Sequence, residues 1–252
     1  MSELTHFSLF SGIGANDLAA EWAGFKTVGQ CEWADFPTKV LEKHWPDVPR
    51  WRDIHDLTGE SVRRAGIENI TVLSGGFPCQ PHSAAGKRKA SADERDLWPE
   101  YRRVICETSP KWIVGENVAG LLSSESGRFF GGILRDLAEM GYDVGWCSIR
   151  ASWVGAVHQR ERVFIIAHAN SVRCEGVSEG QVSRHTVMDT IESQRGLQRM
   201  PDRWRIPTSR ICRVDDGVRH RIHRLKSLGN SIVPHQVYPI YQAIADIERS
   251  IV

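Results

Sequence analysis

The sequence predicts an α/β fold, in which one sheet is built from strand-helix-strand units. Short apolar runs rich in β-branched residues alternate along the chain with segments whose apolar residues recur at helical spacing. The chain has 252 residues, of which 41% are hydrophobic. That is enough for one ordinary core with at most one small appended lobe.

The first predicted unit runs from residue 4 to residue 24. Residues 4–9 predict a strand, and a tight turn follows at Ser11–Ala15. Residues 16–23 predict a helix that Gly24 ends in the C′ position, where glycine is favoured. We expect further strands at residues 26–31, 70–73, 111–115, 144–149 and 163–167, and further helices at 35–44, 97–107 and 131–140.

Helical periodicity is lost at about residue 170 and returns only at the end of the chain. The intervening sequence is polar and rich in arginine, without repeats. The final apolar positions have the spacing of a helix with one buried face: Val237, Ile240, Ile244, Ile247 and Ile251. Pro239 must lie in the first turn of this helix or kink it.

Composition excludes several classes of protein. No stretch approaches the eighteen consecutive apolar residues of a membrane span, and Met1-Ser2-Glu3 does not begin a secretory signal, so we expect a cytoplasmic protein. The six cysteines form neither a CxxC pair nor a cluster with histidines. We therefore expect reduced thiols, with no disulfide framework and no metal site.

The net charge of +1 conceals an uneven distribution of charge. Residues 170–226 carry a net charge of +5, and the rest of the chain carries −4. This asymmetry indicates a local basic surface for a polyanion. A solvated, charge-rich loop is the alternative.

The turn after the first strand is a candidate ligand site. Gly12 and Gly14 would let backbone N–H groups approach a ligand beside a helix N-terminus, although glycine turns also serve packing alone. Glu32 ends the next strand twenty residues after Gly12, where an acidic residue accepts hydrogen bonds from ribose hydroxyls. Asp53 ends another short segment that could reach the same edge, or it is a surface carboxylate.

Cys79 is a candidate nucleophile. It follows Gly75, Gly76 and Pro78 at the predicted end of a strand, where α/β folds place ligands. A free cysteine is more often a small buried apolar residue, and we interpret the other five in that way. A nucleophilic thiol needs cationic surroundings. The loop after Cys79 could supply them with Lys87, Arg88, Lys89 and Arg95. Alternatively, this basic loop is a solvated lid without a partner.

Two further polar elements adjoin apolar strands. Glu116 follows Trp-Ile-Val-Gly and is either hydrogen-bonded structurally or held with a raised pKa for proton donation. Arg160 and Arg162 would point to the same side of an extended chain and could grip a phosphate or a carboxylate. An ion-pair ladder around Glu161 is the alternative.

In this order, the segments resemble the C5 cytosine-specific DNA methyltransferase family over residues 4–167 and 225 to about 244. The resemblance is carried by Phe10-Ser-Gly-Ile-Gly, Gly75-Gly-Phe-Pro-Cys-Gln80 with Ser83 and Gly86, Glu116-Asn-Val118, Gln159-Arg-Glu-Arg162, and Gly229-Asn-Ser231 before Val233-Pro234. It implies a Rossmann-like S-adenosylmethionine-dependent methyltransferase sheet with helices on both faces, plus a small irregular target-recognition segment.

The resemblance also implies a reaction. Cys79 would add to C6 of a flipped-out cytosine, and Glu116 would act near N3 as the general acid. Arg160 and Arg162 would hold the target nucleotide. A methyl group would then pass from S-adenosylmethionine to C5, without a metal.

By the same comparison, binding roles fall on matching positions of this chain. The implied cofactor residues are Phe10, Gly12, Gly14, Glu32, Trp33, Asp53, Ile54, Pro78, Leu97, Asn230 and Ser231. The expected DNA contacts are Gln80, Ser83, Lys87, Arg88, Lys89, Arg199, Arg203, Arg205 and Arg210.

The chain departs from the family pattern in two motifs. Ser8 stands where an acidic residue usually precedes the cofactor turn, and Gly14-Ala15 replaces two glycines. The proline that commonly precedes the Gln-Arg segment is absent.

The resemblance further predicts how the chain is divided. We expect a catalytic and cofactor-binding domain at residues 1–169, a basic target-recognition segment at 170–225 and a C-terminal segment at 226–252 that returns to the catalytic domain. A recognition segment this short is expected to make mostly phosphate contacts and to read a short sequence.

We expect a monomer of bacterial or phage origin that acts on double-stranded DNA, with a restriction endonuclease as a possible partner. An RNA cytosine-5 methyltransferase and a non-catalytic DNA-binding relative are the alternatives.

Overall fold

The computed structural model describes residues 3–78, 96–170 and 221–250. In these residues seven strands form one sheet in the order β3-β2-β1-β4-β5-β7-β6. The strands are β1 (Thr5–Leu9), β2 (Lys26–Cys31), β3 (Arg50–Trp51), β4 (Val72–Gly75), β5 (Trp112–Val118), β6 (Tyr142–Arg150) and β7 (Glu161–Ala169). The helices are α1 (Ala15–Trp22), α2 (Asp35–His44), α3 (Gly59–Arg64), α4 (Trp98–Thr108), α5 (Arg128–Glu139), α6 (Arg221–Asn230) and α7 (Pro234–Ser250).

Strands β1 to β5 are parallel, and their register brings their carboxyl ends to one edge. Leu9 pairs with Cys31 and Gly75, Cys31 pairs with Trp51, and Gly75 pairs with Gly115. The residues that follow these positions therefore lie side by side, where ligands bind in open α/β sheets. Strand β7 runs antiparallel between β5 and β6.

Helices cover both faces of the sheet, because neighbouring residues of each buried strand point to opposite sides. Leu73 and Ile113 pack into a core with α3, α4 and α5, whereas Val72 and Val114 pack with α1 and α7. The α/β prediction with helices on both faces is confirmed. None of the helices in the described ranges is long and apolar enough to span a membrane.

The predicted bounds are exact for β2 and α2, and the other predicted elements differ by a few residues. Strand β5 continues to Val118, so Glu116 lies inside the strand rather than after it. The last helix begins at Pro234, and Pro239 is its sixth residue, beyond the first turn.

Among the strands and α-helices given above, β3, α3 and α6 were not predicted. Strand β3 has only two residues and exists because Gln30 and Cys31 pair with it. Such non-local pairing leaves no periodic signal in the sequence.

Candidate active site

The turn after β1 is held open by left-handed backbone conformations. Phe10, Gly12 and Gly14 have φ angles of 52°, 57° and 84°. The N–H of Ser11 donates to the carbonyl of Cys31 at 3.0 Å, which ties the turn to the end of β2. A Cβ at Gly12 would meet nothing within 4 Å, so this turn leaves room for a ligand.

Gly14 serves packing within the same turn. A Cβ there would lie 2.4 Å from the ring of Trp45. The residue is buried and stands at the N-cap of α1. Its absent side chain therefore lets α1 and the end of α2 approach each other.

Glu32 faces this turn at the edge of the sheet. Its Oε2 accepts a hydrogen bond from the N–H of Gly12 at 2.7 Å, and its Oε1 accepts one from Ala34 at 2.8 Å. A carboxylate has about four acceptor sites, so two remain for the hydroxyl groups of a ligand. The structure thus brings together the two parts of the predicted ribose site.

Trp33 and Asp53 lie beside Glu32. Trp33 is 71% exposed, and its backbone carbonyl accepts a hydrogen bond from Arg52 at 2.6 Å. Oδ1 of Asp53 accepts a hydrogen bond from the backbone N–H of His55 at 2.9 Å. The same oxygen forms a second hydrogen bond, of 2.6 Å, with Nδ1 of the His55 ring. These hydrogen bonds lower the pKa of Asp53 and keep it acceptor-only.

Ile54 is buried, and a residue that sequence analysis missed holds its backbone. Arg103 of α4 donates to the carbonyls of Ile54 at 2.7 Å and Leu57 at 3.0 Å. Glu100 and Glu107 pair with the same guanidinium. Arg103 looks like an ordinary surface residue in the sequence, because the two carbonyls that it holds lie more than forty positions away.

The remaining predicted cofactor residues border the same edge. Pro78 and Leu97 are half-buried, and Leu97 immediately precedes α4. Asn230 is exposed at the end of α6, and Ser231 follows it. Ile13 of the turn and Leu228 of α6 line one open cavity, so α6 lies beside the turn.

Glu116 and the two arginines meet at the next strands along this edge. Oε1 of Glu116 lies 2.7 Å from Nε of Arg162, and the two side chains are only 12% and 15% exposed. Two nitrogens of Arg160, Nε and Nη2, are buried without a hydrogen-bond partner in the described part of the chain. Buried guanidinium nitrogens with free donors are suited to an anionic ligand.

Burial dominates the ionisation of Glu116. Desolvation raises its pKa from 4.5 to about 7, although Arg162 and Arg160 both act to lower it. The carboxyl group therefore exchanges its proton near neutral pH, as a general acid must. The pKa of Arg160 is lowered, by burial first and by Arg162 second.

Asn117 fixes the segment that leads to Cys79, a role that sequence analysis also missed. Its Nδ2 donates to the carbonyl of Phe77 at 3.1 Å, and its Oδ1 accepts from the N–H of Val118 at 2.9 Å. Strand β5 thereby holds the Phe77-Pro78 segment next to Glu116.

Several predicted site residues lie outside the described residues: Cys79, Gln80, Ser83, Lys87, Arg88, Lys89, Arg199, Arg203, Arg205 and Arg210. Their roles stay predictions, as does the division of the chain at residues 169 and 225. Among the described residues, no group of three or more His, Cys, Asp or Glu side chains could hold a metal ion.

Comparison with known proteins identifies the family of this chain. Residues 4–208 match the model of the C-5 cytosine-specific DNA methylase family. The chain belongs to this family. The resemblance read from the five motifs is confirmed.

Individual relatives match two thirds or more of this chain. Type II methyltransferase M.NgoMIV of Neisseria gonorrhoeae is 35% identical over 172 residues, which are 67% of this chain and 53% of the relative. Type II methyltransferase M.HpaII of Haemophilus parainfluenzae is 31% identical over 231 residues, which are 90% of this chain and 62% of the relative. The chain thus spans less than two thirds of either relative.

Solved structures share the fold of the methylase. The Entamoeba histolytica methyltransferase EhMeth superposes with a TM-score of 0.57 at 17% identity, covering 84% of this chain and 66% of that one. A Spodoptera frugiperda DNMT2 mutant superposes with a TM-score of 0.55 at 20% identity, covering 71% and 54%. The Rossmann-like α/β prediction is confirmed.

Proposed function

We propose that this methylase transfers a methyl group from S-adenosylmethionine to C5 of a cytosine in duplex DNA. The observation that carries the proposal is the buried Glu116-Arg162 pair, with the Glu116 pKa at about 7, on the strand next to the segment that leads to Cys79. The open turn at Gly12 lies on the same edge of the sheet. This edge therefore supports the proposal of Glu116 as an acid, of the arginines as anion-binding groups and of the turn at Gly12 as part of a cofactor site.

Cys79 and Glu116 would act on the two sides of one cytosine ring. The thiolate adds to C6, the ring electrons move toward N3, and Glu116 supplies a proton there. The C5 atom becomes a nucleophile and gains the methyl group. The methyl donor would leave as S-adenosylhomocysteine. Solvent water would then take the C5 proton, the C6–S electron pair would return to sulfur as the thiolate, and the N3 proton would return to Glu116.

The cofactor would lie across the carboxyl ends of β1, β2 and β3. Glu32 would accept hydrogen bonds from the ribose hydroxyls, and Trp33, Asp53 and Ile54 would border the adenine. Phe10, Pro78 and Leu97 would line the site, and Asn230 and Ser231 would close the methionine end. When bound, S-adenosylmethionine supplies an electrophilic methyl group.

A stacked cytosine cannot reach this edge, so the target base must be flipped out of the duplex, at a cost of a few kcal/mol. Arg160 would receive the negative charge of the target nucleotide, because its buried donors have no partner in the described chain. The basic segment at residues 170–225 would contact phosphates and select a short sequence. Gln80, Ser83, Lys87, Arg88 and Lys89 would close behind the base.

The biological setting is part of the same proposal. Relatives named Type II methyltransferases come from bacteria, which supports a cytoplasmic enzyme of a bacterial restriction-modification system. A monomeric state, a cognate endonuclease and a phage origin are further predictions.

Methyl transfer with a labelled donor tests the reaction. We expect incorporation into duplex DNA and not into tRNA, and bisulfite sequencing should show 5-methylcytosine in one sequence context. Transfer to tRNA alone would instead support an RNA methyltransferase. DNA binding without transfer to either substrate would contradict the enzymatic proposal.

Covalent trapping tests the nucleophile. A duplex containing 5-fluorocytosine should form a stable adduct, because fluorine blocks loss of the C5 substituent. The adduct should vanish with Cys79→Ser and persist with the control Cys106→Ser, which removes an exposed thiol of α4 whose sulfur contacts Met140. An adduct with Cys79→Ser would exclude Cys79 as the nucleophile.

A further inference from the structure

Gln236 is a fully buried side chain whose amide oxygen and both amide N–H groups are hydrogen-bonded. It is the third residue of α7, and its Oε1 accepts a hydrogen bond of 3.3 Å from the N–H of Val233 just before the helix. Its Nε2 donates to the carbonyls of Ile149 at 2.8 Å and Arg160 at 3.0 Å. One side chain therefore joins the start of α7 to two strand ends.

The two carbonyls lie where the arginine pair is placed. Ile149 pairs directly with Arg162 across β6 and β7, and Arg160 immediately precedes β7. The N–H of Ala151 donates to the carbonyls of Gln159 and Arg160 at 3.1 and 3.3 Å. These bonds join the two ends of the loop between β6 and β7. The amide thus fixes the backbone two residues before Arg162, which contacts Glu116.

The other end of the connection reaches the proposed cofactor site. Only Ile232 and Val233 separate Ser231 from α7, and Ile232 is buried. The N–H of Ser231 donates to the carbonyl of Ser227 at 2.9 Å, so Ser231 is also fastened to α6. A displacement of Ser231 therefore moves Val233, to which Gln236 is hydrogen-bonded.

We propose that Gln236 is a positioning residue that couples cofactor binding at Asn230 and Ser231 to the placement of Arg160 and Arg162. This inference rests on the proposed function. A ligand that holds Ser231 favours one position of Val233, and the amide transmits that preference to the backbone of Arg160. By linkage, cofactor and DNA then strengthen each other's binding by the same factor.

The coupling is measured with S-adenosylhomocysteine and a short duplex that contains the recognition sequence. We expect S-adenosylhomocysteine to lower the Kd of the wild-type protein for DNA by at least ~5-fold, which is the lower end of the range for allosteric coupling. Gln236→Glu keeps the acceptor but replaces both donors with a carboxylate that faces two carbonyl oxygens. The coupling factor should fall toward one.

Recovery at low pH separates positioning from general destabilisation. When the introduced carboxylic acid is protonated it regains one donor, so the coupling of Gln236→Glu should increase as the pH is lowered. The matched control is Gln242→Glu on the same helix, where the amide bonds, among the residues that the structure describes, to Tyr238 and Asp246 of α7. This control should keep the wild-type coupling factor.

Each other outcome is decisive. Absence of coupling in the wild type, or undiminished coupling in folded Gln236→Glu, would overturn the inference. Gln236→Met removes the amide without burying a charge. Loss of the thermal unfolding transition in both Gln236→Glu and Gln236→Met would show that the amide serves only to stabilise the fold. Failure of the wild type to methylate any nucleic acid would instead refute the proposed function.

Discussion

Nε of Arg162 lies 2.7 Å from Oε1 of Glu116, and together the two side chains are almost closed to solvent. The pair joins strands β5 and β7, since Arg162 is in register with Val118, two residues beyond Glu116. Burial nevertheless raises the pKa of Glu116 to about 7 against the attraction of the arginine. The contact therefore orients the carboxyl group while leaving its proton exchangeable near neutral pH.

The first prediction concerns the pH dependence of methylation. A raised pKa means that Glu116 is protonated below about pH 7 and loses its proton above it. We expect kcat/KM for DNA, which reports ionisation of the free enzyme, to fall as the pH rises through about 7.

Glu116→Gln is the control for this assignment. It should lower kcat by ~10²- to 10⁴-fold, the usual contribution of a general acid, and it should remove the alkaline fall from the profile. A wild-type rate that increases steadily up to pH 9 would argue against Glu116 as the proton donor.

Gly76→Ala should damage the site without unfolding the protein. A Cβ at this position would lie 2.7 Å from Oε2 of Glu116, so the carboxyl group must move. Because a 1 Å misplacement can cost about a hundredfold in rate, we expect methylation to slow by roughly ten- to a hundredfold. Gly131→Ala in α5 is the matched control, since a Cβ there meets nothing within 4 Å.

Gly131→Ala should leave the methylation rate unchanged and stabilise the protein by ~0.5–1 kcal/mol, because it replaces an exposed helical glycine. Thermal melting separates the two effects. Unaltered activity of Gly76→Ala would mean that the position of Glu116 does not limit the reaction.

Arg103→Lys should weaken cofactor binding. The guanidinium holds the carbonyls of Ile54 and Leu57 together, and an ammonium group cannot reproduce this fork. Loss of ~1.4 kcal/mol corresponds to about tenfold weaker binding. Calorimetry with S-adenosylhomocysteine measures the effect directly.

In kinetics, Arg103→Lys should raise KM for the methyl donor and leave kcat near its wild-type value. Arg64→Lys is the control, because Arg64 forms an exposed ion pair with Glu60 on α3. A change in kcat alone would point to a different role for Arg103.

Asp17→Asn should stabilise the protein above about pH 6. Asp17 is fully buried against Ser8 and Gln30, and burial raises its pKa from 3.8 to about 6. The folded state thus holds this proton more tightly than the unfolded state. The free energy of unfolding therefore falls as the pH rises from about 4 to about 6.

Asparagine keeps the acceptor for Ser8 and Gln30 but never ionises. Two pKa units correspond to at most about 3 kcal/mol of extra stability at pH 8, and the difference from wild type should disappear below pH 4. Urea unfolding of both proteins at several pH values measures it. Equal stability at pH 8 would show that ionised Asp17 is compensated in the folded state.

The family and most of the sheet could be read from the sequence, because both depend on local patterns. The β2 strand and the α2 helix have the predicted bounds, since each is a short apolar or amphipathic run between clear breaks. The turn at Phe10, the Glu116 segment and the arginine pair are short motifs with fixed chemistry. Their order along the chain was sufficient to indicate a cytosine methylase.

The side chains that hold the site residues in place could not be predicted in this way, because the groups they contact are distant in sequence. Arg103 reaches Leu57 across 46 positions, and Gln236 reaches Arg160 across 76. Nothing in the residue type or the spacing marks these side chains as different from a surface arginine or a helical glutamine.

The sequence alone determined the α/β class, the family and the residues that carry the proposed reaction, since these depend on local pattern and motif order. The tertiary structure alone decided that Glu116 faces Arg162 with a raised pKa, that Arg103 fixes the loop at Ile54, and that Gln236 joins the two ends of the site. Burial and non-local hydrogen bonds set these properties, and both arise only when the sheet brings distant segments together, through the parallel register of β1 to β5 and the antiparallel pairing of β7 with β5 and β6.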